Sequence, residues 1–246
     1  MKSAFVQTEN VKRFLAAVQA LEGRGAAEAS LMLVVGDAGY GKSRTGEWWA
    51  LRNDAVHVRV MAAATPHWVL SDIVRELGES APAHFNEQLF AQAVGVLARD
   101  RRPIVIDEVE NALRHMAVIE TIRDLSDVCE IPVVLIGREH IRGRLRREKQ
   151  IWSRVSAIAS FAPATEADVG LACDTLAEVA IDPQVVAEIH RQSEGRIREV
   201  VKAIANVERI GRRSKGPVTL AAIGGMTLTQ EFQKTAAANE PKPKAA

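Results

Sequence analysis

Eight consecutive residues, Gly36-Asp37-Ala38-Gly39-Tyr40-Gly41-Lys42-Ser43, follow the pattern GxxxxGK[ST], whose chemistry is the holding of phosphates. Glycines let the backbone wrap with its N–H groups pointing inward, and a helix start adds partial positive charge where anionic oxygens must sit. On this reading Lys42 reaches the β- and γ-phosphates of ATP, Ser43 offers its hydroxyl to Mg2+, and Arg44 completes the contact stretch. The bland alternative is an ordinary glycine turn with a surface lysine. Further along, Ile104-Val105-Ile106-Asp107-Glu108 is an apolar run that ends in two carboxylates. Asp107 is the natural second partner of Mg2+, and Glu108 can orient and deprotonate an attacking water, because phosphoryl transfer demands mainly positioning and charge neutralisation. An acidic helix cap would explain one of the two carboxylates, since acids favour that position.

The elements that must hold these residues are legible as periodicity. Val11, Phe14, Leu15 and Val18 fall at helical spacing between about Thr8 and Leu21, and Leu31–Val35 is a continuous apolar run of strand length. A helix is expected from Lys42, a strand near Ala55–Met61, and a helix opened by Pro66 and ending about Gly78. Then come a helix over Phe85–Arg99, the strand Ile104–Ile106, a helix over Asn111–Val128, the strand Val133–Ile136 and a fifth strand at Ala157–Phe161. Strands alternating with helices imply an α/β fold with a parallel sheet covered on both faces, and strand carboxyl ends are where such sheets bind ligands. After Pro163 the pattern turns helical, near Glu166–Val179, Pro183–Gln192 and Ile197–Ile210. The expected division is an α/β subdomain over 1–163, a small helical lid over 164–225 and a flexible tail over 226–246.

Composition bounds the rest. The chain has 246 residues, 47% hydrophobic and 26% charged, with a formal net charge of +1, values that fit a globular protein of one or two domains. No run of about eighteen apolar residues occurs, and no secretion signal is visible, so a cytoplasmic protein is expected. Cys129 and Cys173 lack CxxC spacing, and the six histidines show no ligand pattern, so neither a disulfide framework nor a protein-bound zinc is expected. Net charge hides two basic intervals. Arg138–Arg154 and Arg196–Gly216 each hold seven Lys or Arg against two Asp or Glu, a local +5.

Through GDAGYGKS, IVIDE and the helical segment that follows, the chain resembles the AAA+ class of P-loop ATPases. That resemblance implies a helical lid after the sheet, an arginine donated to a neighbouring copy's ATP site and a second arginine in the lid. Arg154, ahead of the fifth strand, matches the position of the first, and Arg198, in EGRIREV, looks like the second; a surface salt bridge is the alternative for each. A small polar sensor is usual after the fourth strand, but here Ile136 is followed by Gly137 and Arg138, which leaves Arg138 as the candidate.

More narrowly, MKSAFVQTENVKRFLAA and LMLVVGDAGYGKSRTGEWWALR look like the ATP-dependent DNA-transposition proteins of Mu-like transposing phages and related transposons. What this implies is an ATP-loaded protein that forms homo-oligomers, as a helical filament or ring, on duplex DNA, delivers that DNA to a transposase and disassembles on hydrolysis. Gly36 leaves no room for a separate DNA-binding domain before the ATPase, so contacts are expected from Arg114, Arg138, Arg142, Arg144, Arg146, Arg147 and Lys149. Thr65, His67, Trp68 and His115 are further candidates, and a solvated charged face is the alternative. Trp48 and Trp49 invite a base-stacking reading, but their place after the phosphate loop favours burial of at least one. The competing functional classes are an ATP-driven protein-docking switch without DNA and a small-molecule kinase.

Overall fold

The computed structural model describes residues 1–79, 82–212 and 216–229. They divide into two compact units, Glu9–Ala162 and a second made of Met1–Thr8 with the described residues from Pro163 onward.

The larger unit runs α1 (Glu9–Glu22), β1 (Leu31–Val35), α2 (Lys42–Arg52), β2 (Val56–Arg59), α3 (Pro66–Glu76), α4 (Asn86–Asp100), β3 (Ile104–Asp107), a 3₁₀ turn (Val109–Arg114), α5 (Met116–Cys129), β4 (Val133–Ile136), α6 (His140–Leu145), α7 (Lys149–Trp152) and β5 (Val155–Ser160). The five strands pair in the order β2-β3-β4-β1-β5, and every pairing is parallel. Strand residues alternate between two cores. Leu31, Leu33 and Val35 of β1, with Ile104 and Ile106 of β3 and Val133 and Leu135 of β4, face α3, α4 and α5. Met32, Val34, Val105, Val134 and Ile136 face α1 and α2, where Phe14 meets Trp49 edge-on at a centroid distance of 5.9 Å. Burial on both faces is why β1, β3 and β4 read as unbroken apolar runs. Asn10 fastens the start of α1 to the exit of β5, its side chain donating to Ala162 O at 2.7 Å and accepting from Ala162 N at 3.0 Å.

The smaller unit contains α8 (Glu166–Leu176), α9 (Pro183–Ser193), α10 (Ile197–Gly211) and α11 (Leu220–Ile223) around Val169, Val185, Ile189, Val200, Ile204 and Val207. Thr165 and Asp168 cap α8 reciprocally, and Asp182 with Pro183 opens α9. Met1–Thr8, which the sequence pattern groups with the sheet, joins this unit: Lys2 N donates to Leu176 O at 2.7 Å and Val6 packs on its core. At the other end Leu228 is fully buried in the same core, so the chain remains packed beyond 225. The remainder of the expected tail, from residue 230, lies outside the described residues.

Two further differences concern the large unit. The continuous helix expected over Asn111–Val128 is interrupted: Val109–Arg114 wind as a 3₁₀ turn behind left-handed Glu108 (φ 57°), and the chain leaves helical geometry at His115 (φ −133°, ψ 80°) before α5 begins. The fifth strand starts at Val155, two residues earlier than its apolar pattern suggests, since its edge position leaves Val155 and Ser156 partly exposed. Among the described residues, no helix is long and apolar enough to cross a membrane.

Candidate functional site

Because all strands run parallel and β4 lies between β1 and β3, the carboxyl ends of these three strands come together on one edge of the sheet. The phosphate loop leaves β1 there. Gly36 has φ 146°, and a Cβ at this position would stand 2.6 Å from Phe161 O, so only glycine lets the chain turn beside β5. Gly39 and Gly41 adopt φ 91° and 93°, the left-handed region that side chains resist. Gly41 precedes α2 and provides no side-chain cap, which leaves the first-turn N–H groups of α2 available to an anion. Asp37 and Ala38 are exposed on the loop, Gly39 and Tyr40 half-buried, and Ser43 and Arg44 exposed on the first turn of α2. Arg44 pairs with Glu47 at 2.8 Å.

Lys42 folds under the loop, where its Nζ donates to Gly36 O at 2.7 Å and Asp37 O at 2.8 Å. Burial lowers its pKa, while the carboxylates of Glu110, Asp107 and Glu108 oppose that shift. Asp107, the last residue of β3, is 5% exposed, and its Oδ1 accepts from Glu108 N at 2.9 Å. Glu108 turns out of the strand towards the end of β2, where Arg59 Nη2 lies 3.2 Å from Glu108 Oε1. The uncapped helix start, the inward lysine and the paired carboxylates together suit a nucleoside triphosphate with a divalent cation.

The sequence pattern does not assign Arg59 and Glu110 to this edge, and it offers Arg138 both as a DNA contact and as a candidate for the sensor after the fourth strand. Arg138 in fact pairs with Glu110, its Nε 3.2 Å from Oε1 and its backbone N–H donating to Oε2 at 3.3 Å. The only sequence signal was the third acid in Ile-Asp-Glu-Val-Glu, two residues past Glu108.

Other expected site residues lie elsewhere. Arg154 stands at the opposite, amino-terminal edge of the sheet, where its carbonyl accepts from Leu31 N, and its guanidinium engages Asp127 at 3.2 to 3.4 Å. Arg198 is exposed near the start of α10 in the smaller unit. Arg114 is exposed at the end of the 3₁₀ turn, and Arg142, Arg144, Arg146, Arg147 and Lys149 are exposed on and between α6 and α7. Trp49 is buried and Trp48 half-buried beneath Arg52, 5.0 Å from the ring centroid, as their position on α2 suggests. Trp68 is 42% exposed on α3, and neighbouring His67 Nε2 lies 3.0 Å from His84 O.

Residues 26–145 match a family described as "AAA domain". The chain carries an AAA-type P-loop ATPase domain. Solved structures show the same AAA+ fold. The Aeropyrum pernix Orc1 protein in complex with DNA is 18% identical with a TM-score of 0.63, and the alignment covers 91% of this chain and 65% of that one. Cdc6p from Pyrobaculum aerophilum is 14% identical with a TM-score of 0.67, covering 98% and 73%. The ATPase therefore spans just under two thirds of the Orc1 protein's length. PCH-2 from C. elegans is 14% identical with a TM-score of 0.51, covering 89% and 67%. No curated protein matches the sequence significantly.

Proposed function

We propose that this ATPase binds duplex DNA without sequence preference, assembles on it as a homo-oligomer in the ATP-bound state, and presents target DNA to a transposase. The observation that carries the DNA reading is the surface of α6 and α7. Arg142, Arg144, Arg146, Arg147 and Lys149 are all exposed and, among the described residues, form no ion pair. Five such cations within eight residues suit a row of phosphates, and contacts of this kind position a protein on duplex DNA while reading no bases. The Orc1 protein of similar fold was solved with DNA bound. The transposase partner rests on the sequence resemblance alone.

Bound Mg2+ and ATP would supply the phosphoanhydride whose cleavage times the cycle. Lys42 and the α2 amides would neutralise the phosphates, Ser43 and Asp107 would hold the cation, and Glu108 would take the proton of the attacking water. The role of Arg198 as a nucleotide contact rests on the sequence resemblance alone. Arg154 would reach a neighbouring copy's site only after giving up Asp127.

The test is binding to unrelated duplexes, with and without ATPγS, across a salt series. ATPγS should tighten binding and salt should weaken it; Lys42→Ala should lose both nucleotide binding and assembly, whereas Glu108→Gln should accumulate the ATP-bound oligomer. Absence of binding at every salt concentration, with discrete particles in electron micrographs, would instead favour a protein-docking switch.

A further inference from the structure

The chain passes between its two compact units twice, at Thr8–Glu9 and at Ala162–Pro163. Asn10, the second residue of the larger unit, is 3% exposed. Its Nδ2 donates to Ala162 O at 2.7 Å and its Oδ1 accepts from Ala162 N at 3.0 Å, so one amide takes both main-chain groups of the residue that precedes the second passage. Exposed Arg13 donates from Nη1 to the same Oδ1 at 3.1 Å, a charge-assisted bond that fixes which end of the amide faces Ala162 N. β5 is an edge strand, and its pairing with β1 ends where Phe161 N donates to Val35 O at 2.7 Å. Beyond that bond Asn10 supplies the partners that the ladder no longer does. Phe161 is also the residue beside which the phosphate loop turns: a Cβ on Gly36 would stand 2.6 Å from Phe161 O and 3.0 Å from Phe161 Cβ. The backbone at 161–162 therefore meets the phosphate loop through Phe161 and the Asn10 amide through Ala162.

We propose that Asn10 is a positioning residue of the ATP site: it holds Phe161 and Ala162 in the place against which Gly36 turns, so that the phosphate loop is formed before the nucleotide arrives. The proposal rests on the reading of Gly36–Ser43 as the phosphate loop and adds a residue that acts on it through the backbone. The physical reason is the cost of ordering. Backbone N–H groups deliver their full attraction to an anion only when already aimed, and a loop that must first be ordered subtracts that cost from binding. Gly36 has no side chain with which to fix its own direction, and glycine is free to take many others. The wall at Phe161 removes that freedom. Asparagine suits the task because its amide carries a donor and an acceptor together, the complement of one residue's C=O and N–H. Without it two partly buried main-chain groups lose their partners, and the exit of β5 moves to recover them, taking the wall with it. The effect falls on binding and spares turnover, because Asp107 and Glu108 follow β3, which β4 and β1 separate from β5.

Calorimetric titration of ATPγS and steady-state ATP hydrolysis, both with the full chain, test this. Asn10→Ala should weaken ATPγS binding and raise KM for ATP about tenfold, with kcat changed by less than about twofold. Phe14→Leu alters the same helix and the same core without touching Ala162. It should lower the urea midpoint and leave KM unchanged, a split that a merely structural role for Asn10 would not produce. Asn10→Asp keeps the size and the acceptor for Ala162 N but loses the donor to Ala162 O, so it should raise KM about threefold, and it carries the test if Asn10→Ala folds poorly. ATPγS affinity within about twofold of the unaltered chain in a folded Asn10 variant, an equal rise of KM in Phe14→Leu, or an Asn10→Ala defect confined to kcat would overturn the positioning role. Failure of the ATP-site reading looks different: the unaltered chain would show no ATPγS binding that Lys42→Ala abolishes.

Discussion

Arg59 ends β2 with its Nη2 3.2 Å from Glu108 Oε1, and that contact sets what the proposed base can do at rest. A carboxylate held by a cation is a weaker base and points at its partner rather than at a water. Arg59→Ala should therefore raise basal phosphate release about threefold to tenfold with ATP affinity unchanged. A fall in turnover, measured at saturating ATP, would mean that Arg59 aims Glu108 into the site instead. The phosphate loop and Asp107–Glu108 are legible because their chemistry requires fixed spacing within one contiguous stretch. Arg59, Glu110 and Arg138 belong to three different strand ends, and only the strand order β2-β3-β4-β1-β5 makes them neighbours. A single sequence gives the strands without giving their lateral order. Arg154 shows the converse: its position ahead of β5 is legible, but its pairing partner Asp127 comes from α5 and carries no signal along the chain.

At the scale of elements, α2 is held to the sheet through a missing side chain. A Cβ on Gly46 would collide with Ile136 Cδ1 of β4 and stand 3.4 Å from Val105 Cγ1 of β3, so glycine allows the helix that begins with Lys42 to approach the strands. Gly46→Ala should cost about 1–3 kcal/mol through overpacking, read as a lower urea midpoint. Ile136→Val removes the opposing methyl and should restore part of that loss, although alone it costs about 0.5–1.5 kcal/mol. No recovery in the double variant would place the strain elsewhere. Periodicity located the five strands and the longer helices here, since alternate burial leaves a strong imprint on sequence, but not the short helices α6, α7 and α11, which span too few residues to show a period. It failed where backbone conformation, not hydrophobicity, sets the boundary, as at left-handed Glu108 and the 3₁₀ turn behind it. In α9, hydrogen bonds from Arg191 and then Gln192 lower the Glu188 pKa from 4.5 to about 2. A folded-state pKa below the unfolded one gives stability that is complete above pH 4.5 and is lost as pH falls toward 2. Glu188→Gln should flatten the acid limb of stability over that window, while costing less than about 1 kcal/mol at pH 7 because Arg191 is largely exposed. An unchanged acid limb would show that the pair persists equally in the unfolded chain.

For the whole molecule, the +1 net charge is a sum over regions that differ in how far their charges are already spent. In the second basic interval Lys202 pairs with Glu199 and Arg212 with Glu178, while residues 213–215 lie outside the described residues. In the first interval Arg138 is engaged by Glu110 and Arg154 by Asp127, which leaves α6 and α7 as the concentrated source of unneutralised charge in the larger unit. Salt dependence can therefore locate the DNA contact as well as detect it. Each phosphate neutralised contributes about 0.9 to the slope of log K against log salt. Combined Arg144→Ala, Arg146→Ala and Arg147→Ala should lower that slope by up to about 2.7 and weaken binding to all duplexes alike. Stability should move by no more than about 0.5 kcal/mol, because the three side chains are exposed. ATPγS affinity should not change, since none of the three lies at the strand ends that build the phosphate site. An unaltered salt slope with intact nucleotide binding would move the DNA contact away from α6 and α7, towards Arg114 or the smaller unit. A loss of nucleotide affinity in parallel would instead tie these arginines to the ATP site, with the weakened DNA binding as its consequence.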